Sequence, residues 1–429
     1  MLLVNFPKKL ISVRLVLVCA VSATVALSMA LISIGKFLLF VFGAAYLIWK
    51  NFISSTAANH PQPQPPFYAT RAILMALAVF CISWLWTSAE AADASASIAK
   101  YGKLLTIILI PLLLKNRQET LLAIAVFALA QLFLVLSSWL LFMHVQVPWA
   151  TSKMAATQFA VFSTYLDQGV MSATAAAVCW HLRRLVSGRY AEPLFIAIAF
   201  LCITNALFVL IGRSGHAVAI VLLSLAVMWE LPKRYRAVVV ALPLIFLFMA
   251  VTISPKVQSR AMAVVTEVQA FSFKNGTNIN ANSSSGIRLH FWNRSVQSMT
   301  DNPFFGAGVG SWAYEFKRIE NILQPQPFQI SKLSNPHQEY LLWGVQLGVP
   351  GIILLLFLFL SLYNDTAVPE KSVARAGQSV IAALAVNCFF NSGLYDALIG
   401  DFFCVLLGLM LSLAIQSSKQ VTCIKAPAE

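Results

Sequence analysis

The sequence predicts an all-α integral membrane protein with about twelve transmembrane helices and one large loop on the non-cytoplasmic side. Of the 429 residues, 59% are hydrophobic and only 11% are charged, whereas a soluble domain carries about 25% charged residues. The apolar residues form long blocks, and about 18 nearly uncharged residues are enough to span a bilayer as a helix. One segment, 255–335, is instead rich in Asn, Ser, Gly and Pro.

The apolar blocks predict helices near residues 11–33, 36–50, 72–88, 101–115, 118–143, 167–182, 192–211, 215–231, 236–254, 337–362, 373–391 and 400–417. The first block follows Lys8 and Lys9 and resembles a signal peptide. Its apolar run is longer than the usual stretch of about 7–15 residues, and further spans follow. We therefore predict an uncleaved first helix.

Three regions follow from this pattern: 1–254 with helices one to nine, 255–335 as the outer loop with helical segments, and 336–429 with helices ten to twelve and a cytoplasmic tail. None of the seven cysteines lies in the loop, and no CxxC or Cys/His spacing occurs. The sequence therefore predicts neither disulfides nor a zinc site.

Basic residues predict the orientation, because short cytoplasmic loops of membrane proteins collect Lys and Arg. With the N-terminus inside, seventeen basic residues fall in cytoplasmic segments and five in short outer loops. Both termini are then cytoplasmic, and the loop 255–335 is outside.

The loop itself has eight basic and four acidic residues. A positive surface beside a membrane suits anionic lipid headgroups or lipid diphosphates, with plain adhesion to anionic membrane lipids as the alternative. Nucleic acid is not an expected partner on this side of a membrane.

The segment from Asn335 to Gln338 predicts the start of the tenth helix. Asn is a good N-cap, Pro336 fits the first helical position, and Gln338 completes a capping box. His337 would then lie in the first helical turn, where the helix dipole disfavours the imidazolium form. A neutral imidazole there can act as a general base; the alternative is an ordinary interface residue.

Arg213 lies between two apolar blocks with almost no connecting loop. An ionisable residue at membrane depth is costly and often functional, and the guanidinium fork suits phosphate oxygens. The alternative is an arginine that only reaches the interface at a tight turn. No Asp-x-Asp, Walker A, GxSxG or HExxH motif occurs, so we predict no bound metal and no use of ATP, with Glu90 and Asp93 as the carboxylates that keep a metal open.

Several of these residues form a pattern that resembles the O-antigen ligase/polymerase superfamily. The loop carries SGIRL at 285–289, Trp292, and DNPFFGAGVG at 301–310. His337-Gln338, nine residues, Gly348, two residues and Gly351 look like the His-[Asn/Ser/Gln]-x9-Gly-x2-Gly motif of the lipopolysaccharide O-antigen ligases. Gly212-Arg213-Ser214 resembles the family's Arg-bearing outer turn, which many members order as Ser-Arg-Gly.

The resemblance implies a GT-C-like glycosyltransferase of the cell inner membrane with a periplasmic active site and no cofactor. It would transfer O-antigen from undecaprenyl diphosphate to the lipid A-core oligosaccharide. The implied catalytic residues are His337 and Arg288, and the implied substrate-binding residues are Arg213, Arg288, Gln338, Gly306 and Gly308. His337 would be the base or, in a rival role, a hydrogen-bonding partner of the diphosphate.

Other functions remain open at this stage. An O-antigen polymerase or a protein O-oligosaccharyltransferase would belong to the same superfamily. A flippase or transporter of polyprenyl-linked glycans would be non-enzymatic, but it should carry charged residues deep in several spans. Here the ionisable residues collect at the span ends and in one loop, which favours surface chemistry.

Overall fold

The computed structural model describes residues 8–52, 67–253, 284–323 and 335–425, with isolated helical positions between 258 and 269. All regular structure within these ranges is helical. The helices are α1 (Lys8–Thr24), α2 (Met29–Phe52), α3 (Phe67–Ile82), α4 (Ala91–Tyr101), α5 (Leu105–Leu113), α6 (Arg117–Phe142), α7 (Ala155–Gln158), α8 (Tyr165–Leu182), α9 (Ala191–Thr204), α10 (Arg213–Glu230), α11 (Leu242–Ile253), α12 (Ser284–Asp301), α13 (Trp312–Leu323), α14 (Glu339–Thr366), α15 (Lys371–Phe390) and α16 (Ala397–Lys425).

Nine stretches of the described residues are long and apolar enough to cross a membrane. They are Met29–Trp49, Tyr68–Trp86, Ala91–Leu113, Arg117–Phe142, Ala191–Val209, Arg213–Glu230, Glu339–Thr366, Lys371–Phe390 and Ala397–Lys419. The predicted class, an all-helical integral membrane protein, is confirmed. The other three predicted spans coincide with α1, α8 and α11, which are helical but shorter or less apolar than these nine.

Two predicted boundaries are wrong. The first predicted helix, 11–33, is broken at residues 25–28, where α1 ends and the chain turns into α2. The fourth, 101–115, begins ten residues earlier, because α4 and α5 form one stretch joined by a 3-10 turn at Gly102–Leu104. The Ala- and Ser-rich α4 does not read as apolar, yet Ala94, Ser97 and Tyr101 on one of its faces are buried.

The core of the bundle lies around α16. Nearly all of its apolar stretch is buried, against α5, α6, α14 and α15. The helix α14 is interrupted at Gly348, which has φ +71° and a non-helical backbone. Residues 339–347 and 349–366 are therefore two helical pieces that meet at an angle, and residues of the outer loop contact this junction.

The described part of the outer loop consists of α12 and α13, which pack on each other and on α14. Ser284–Gly286 belong to the first turn of α12. On this helix Val296 is exposed, while His290 and Arg294 are buried against α13. Residues 254–257, 270–283 and 324–334 lie outside the described residues, and with them Lys256, Lys274 and Lys332; the division into three regions stays a prediction.

Candidate active site

Arg213 is the first residue of α10, and the glycines around it let this end of α10 lie directly against α8. A Cβ on Gly215 would lie 2.9 Å from the backbone of Gly169, and one on Gly212 would also meet the start of α8, at 3.0 Å. Arg213 donates from Nη1 to Ser285 Oγ over 2.6 Å. The turn that the sequence singled out therefore links the bundle to the first turn of α12.

Arg288 lies one turn further along α12. Ser285 and Arg288 are three residues apart and share one face of the helix, so the two arginines lie near each other. Arg288 Nη2 is 3.4 Å from Asn391 Oδ1, just after the end of α15. Burial, and then the charge of Arg213, lower the pKa of Arg288. No ion pair joins either arginine to a carboxylate within the described ranges, so no described acidic residue compensates their positive charge.

His337 lies against the same helix α12. Its ring stacks on that of Phe291 with centroids 6.3 Å apart, and Trp292 Nε1 donates to the carbonyl oxygen of Pro336 over 3.2 Å. Burial, and then the positive charge of Arg288, lower the pKa of His337 to about 4. The imidazole is therefore neutral at neutral pH, and it lies in the electrostatic field of Arg288.

The predicted helix start at Asn335 is wrong. The helix α14 begins at Glu339 and Gln338 is its N-cap, whose side-chain oxygen accepts from Leu341 N over 3.2 Å. His337 precedes the helix at φ +53°, because Asn335 Oδ1 accepts from His337 N over 2.9 Å and closes a turn. The expected neutral imidazole therefore results from burial and Arg288 rather than from a place in the first helical turn.

Asp396 was not singled out from the sequence but lies beside this turn. Asn335 Nδ2 donates to Asp396 Oδ1 over 3.0 Å, and Asn335 Oδ1 also accepts from Ser392 Oγ over 2.9 Å. Burial, and then the charges of Asp167 and Glu339, raise the pKa of Asp396 to about 7. The polar run from Asn391 to Asp396 between two apolar blocks was the available signal for this part of the site.

Glu339 holds this polar run in place. Its side chain is fully buried, and Oε2 accepts from the backbone N–H groups of Leu394 and Tyr395 over 2.9 and 3.1 Å. Oε1 accepts from Tyr101 Oη and from Trp343 Nε1 over 3.2 and 2.9 Å. Glu339 is thus a support for the site, because its oxygens are fully engaged with the protein.

Contacts within the protein give a structural role to three residues that were predicted to bind substrate, which are Gln338, Gly306 and Gly308. Gln338 is buried and caps α14. A Cβ on Gly306 would lie 2.5 Å from the backbone at Gln346–Gly348, and one on Gly308 would lie 2.3 Å from Thr87. Both glycines also have positive φ, which other residues rarely adopt. Their predicted role in substrate binding stays a prediction; their packing role is visible.

Within the described ranges, no group of three or more His, Cys, Asp or Glu side chains is arranged to hold a metal ion. The site instead combines two cations without an acidic partner among the described residues, a neutral imidazole and a carboxyl group that titrates near neutral pH. Such a set can stabilise an anionic leaving group and accept a proton from a hydroxyl.

The fold defines a helical, multi-pass membrane protein, in which two arginines, a histidine and a carboxyl group come together where several helices end. A family model described as O-antigen ligase matches residues 198–356. The match runs from α9 into α14 and contains Arg213, Arg288 and His337, but it ends before Asn391 and Asp396. This part of the chain is therefore similar to the O-antigen ligase family. A search of curated proteins found no match.

Proposed function

We propose that this protein transfers O-antigen polysaccharide from undecaprenyl diphosphate to the lipid A-core oligosaccharide, at the periplasmic face of the inner membrane. The observation that carries the proposal is a pair of arginines that no described acidic residue compensates, Arg213 and Arg288, beside the neutral His337. An acceptor hydroxyl must lose a proton and a diphosphate must leave with negative charge, and these residues suit both needs.

In the proposed reaction the acceptor oxygen attacks the anomeric carbon of the donor sugar. A new carbon–oxygen bond forms while the bond from that carbon to the diphosphate oxygen breaks. The hydroxyl proton passes to a nitrogen of His337, and the diphosphate leaves with the bonding electron pair. Arg213 and Arg288 stabilise the charge that develops on it. The donor is already activated by its diphosphate, so the reaction needs no ATP.

The helices that carry Arg213 and Tyr165 also offer a surface for the polyprenyl chain of the donor. An apolar cavity of about 490 Å³ lies between α8, α9 and α10, with Ala173, Phe200 and Leu222 in its walls. A lipid chain in this cavity would follow the helices whose other ends form the site.

The proposed orientation places both termini in the cytoplasm and the site in the periplasm. Thr300 on α12 is exposed, and a single cysteine there, in a cysteine-free background, should react with an impermeant reagent added outside the inner membrane. Labelling only after permeabilisation would reverse the orientation.

Reconstitution with the two lipid substrates tests the reaction. Purified protein in liposomes should convert lipid A-core to a product of lower electrophoretic mobility, in EDTA and without nucleotide. Growth of the lipid-linked polysaccharide in the absence of lipid A-core would instead identify a polymerase. Activity that is lost in EDTA and restored by Mg²⁺ would contradict the metal-free mechanism and direct attention to Glu90 and Asp93.

A further inference from the structure

The glycine-rich turn after α12 presents two phenylalanines to the surroundings. Phe304 and Phe305 are 75% and 71% exposed, which is unusual for neighbouring aromatic residues on a rigid turn. Their backbone is held firmly: Val349 N donates to Pro303 O over 2.8 Å, and Trp86 Nε1 donates to Phe305 O over 3.2 Å. The turn therefore holds the backbone of both residues in place while their side chains stay exposed.

Beneath these phenylalanines lies an apolar groove of about 530 Å³. Met75 and Val79 of α3 form one wall, and Ile353 and Phe357 of α14 form the other. The kink at Gly348 contributes to its upper end, since Leu347 and Pro350 also line it. The side chains that line this groove are aliphatic, aromatic or thioether groups and none is charged, so the groove suits a hydrocarbon chain and offers no cation to a phosphate.

The surroundings of the groove indicate that it opens to lipid. Leu85, beside Trp86 at the end of α3, is 86% exposed, and Val349 and Ile353 on α14 are 47% and 60% exposed. Tryptophan and exposed apolar residues together are typical of the level where a membrane protein meets the bilayer surface. An occupant would therefore enter sideways from the membrane.

The distance from the groove to His337 distinguishes between the lipids that could enter. Residues 339–347 form one helical piece of α14 that separates them, and nine residues at ~1.5 Å each extend about 14 Å. In the donor the diphosphate is attached directly to the polyprenyl chain, so the donor chain must lie close to Arg213 and Arg288. A lipid anchored in the groove can react at His337 only if several sugars bridge this distance.

We propose that the groove holds an acyl chain of the acceptor glycolipid, while its saccharides extend along residues 339–347 to His337. This inference rests on the proposed function, since it assumes a lipid-anchored oligosaccharide acceptor. Donor and acceptor would then approach the site from different sides of the bundle, the donor along α8 and α10 and the acceptor between α3 and α14.

Kinetics with two forms of the acceptor test the proposal. Phe305→Ser removes part of the groove's roof, and Ile353→Trp fills the groove from an exposed position. Each should raise KM for acylated lipid A-core about tenfold, the scale of losing one large apolar contact, and leave KM for the deacylated core and for the donor unchanged. Phe248→Ser on α11 is the matched control, because Phe248 is also 71% exposed.

A rise in the donor KM would assign the groove to the polyprenyl chain and overturn the proposal, as would an equal effect on both acceptors. If neither variant changes the KM for acylated lipid A-core, the proposal is also overturned, and bulk membrane lipid is the occupant of the groove.

A binding measurement separates this inference from the proposed reaction. Lipid A-core carrying a photoreactive group in an acyl chain should cross-link, in the inactive His337→Ala variant, to peptides that contain Met75 or Phe357. Cross-links confined to α8–α10 would overturn the groove assignment. If wild-type protein transfers nothing to lipid A-core in any form, the proposed function fails, and the cross-linked peptide still decides whether the groove binds this lipid.

Discussion

Two arginines of α12, six residues apart, have opposite surroundings. Arg294 is buried and forms an ion pair with Glu320 of α13, which His290 also approaches at 3.1 Å. Arg288 forms no ion pair within the described ranges, and the charge that lowers its pKa is the positive charge of Arg213. Arg294 connects two loop helices through its ion pair, whereas Arg288 has no carboxylate partner among the described residues.

The difference distinguishes charges that stabilise the fold from charges that can bind a ligand, on a surface rich in Lys and Arg. A buried charge with a partner holds structure together, and its removal leaves the partner uncompensated. A cation without a partner is destabilising in the empty protein and becomes favourable when an anion binds. Stability and activity should therefore respond in opposite ways along α12.

The largest expected effect is that of His337→Ala. Loss of the base should reduce the transfer rate by about 10²–10⁴-fold, while folding and donor binding stay nearly unchanged, since no residue in the described part of the chain is hydrogen-bonded to the imidazole. Single-turnover transfer measures the rate. His144→Ala is the matched control, because His144 also has positive φ and its ring contacts Phe159, which is not among the site residues. Transfer at the wild-type rate by His337→Ala would remove this residue from the mechanism.

Arg294→Ala should cost about 3–5 kcal/mol in the free energy of unfolding of the loop region, the usual effect of breaking a buried ion pair. Arg288→Ala should instead leave stability unchanged or slightly increased, because it relieves repulsion with Arg213. Thermal unfolding of both variants in the same detergent measures the difference. Equal destabilisation by the two substitutions would abolish the distinction between the two arginines.

Arg288→Lys should weaken donor binding by about ten- to a hundredfold, which corresponds to one or two charged hydrogen bonds. The charge is kept, but a lysine cannot reproduce the two-pronged contact of a guanidinium with phosphate oxygens. Binding of a non-transferable donor analogue measures this directly. The paired counterpart Arg294→Lys is the control and should not alter donor affinity; unchanged affinity in Arg288→Lys would argue against a direct contact.

The smallest expected effect is that of pH on kcat/KM between about 5 and 8. A base must be neutral, so activity rises with pH through its pKa, and a pKa of about 4 for His337 puts that rise below this range. The bound diphosphate carries negative charge and should raise the pKa of His337, so kcat should titrate at higher pH than kcat/KM. A rate that falls as pH rises would support the rival role of a protonated donor to the diphosphate.

A second group titrates between about pH 5 and 8, and its effect on activity must be distinguished from that of His337. Asp396 has a pKa of about 7, so it loses its proton as the pH rises through 7. It is connected to the backbone of His337 by the hydrogen bonds of Asn335. Any step in activity near pH 7 should disappear in Asp396→Asn. Persistence of the step in that variant would assign it to another group.

The apolar blocks were sufficient to predict the class and nearly every membrane helix, because burial in lipid requires long uncharged runs. They were not sufficient for α4, because Asp93 and Lys100 lower the apolar content of this segment and its helix was not predicted. The sequence singled out Arg213 and His337 because ionisable residues at the ends of apolar blocks are costly there, and it singled out Arg288 only through the resemblance of the loop to the family's signature. Asp396 was missed as a site residue because its position depends on Glu339, which binds the backbone of the loop 55 residues further along the chain.

The length of the helical piece 339–347 limits which insertions and deletions this protein can tolerate. At its one end His337 faces the arginines, and at its other end Gly348, with no room for a Cβ, lies against Pro303. Inserting one residue between them would rotate one end against the other by about 100° and shift it by about 1.5 Å. The length of this piece is therefore constrained by the contacts at both of its ends, because an insertion or deletion would misalign His337 with the junction at Gly348.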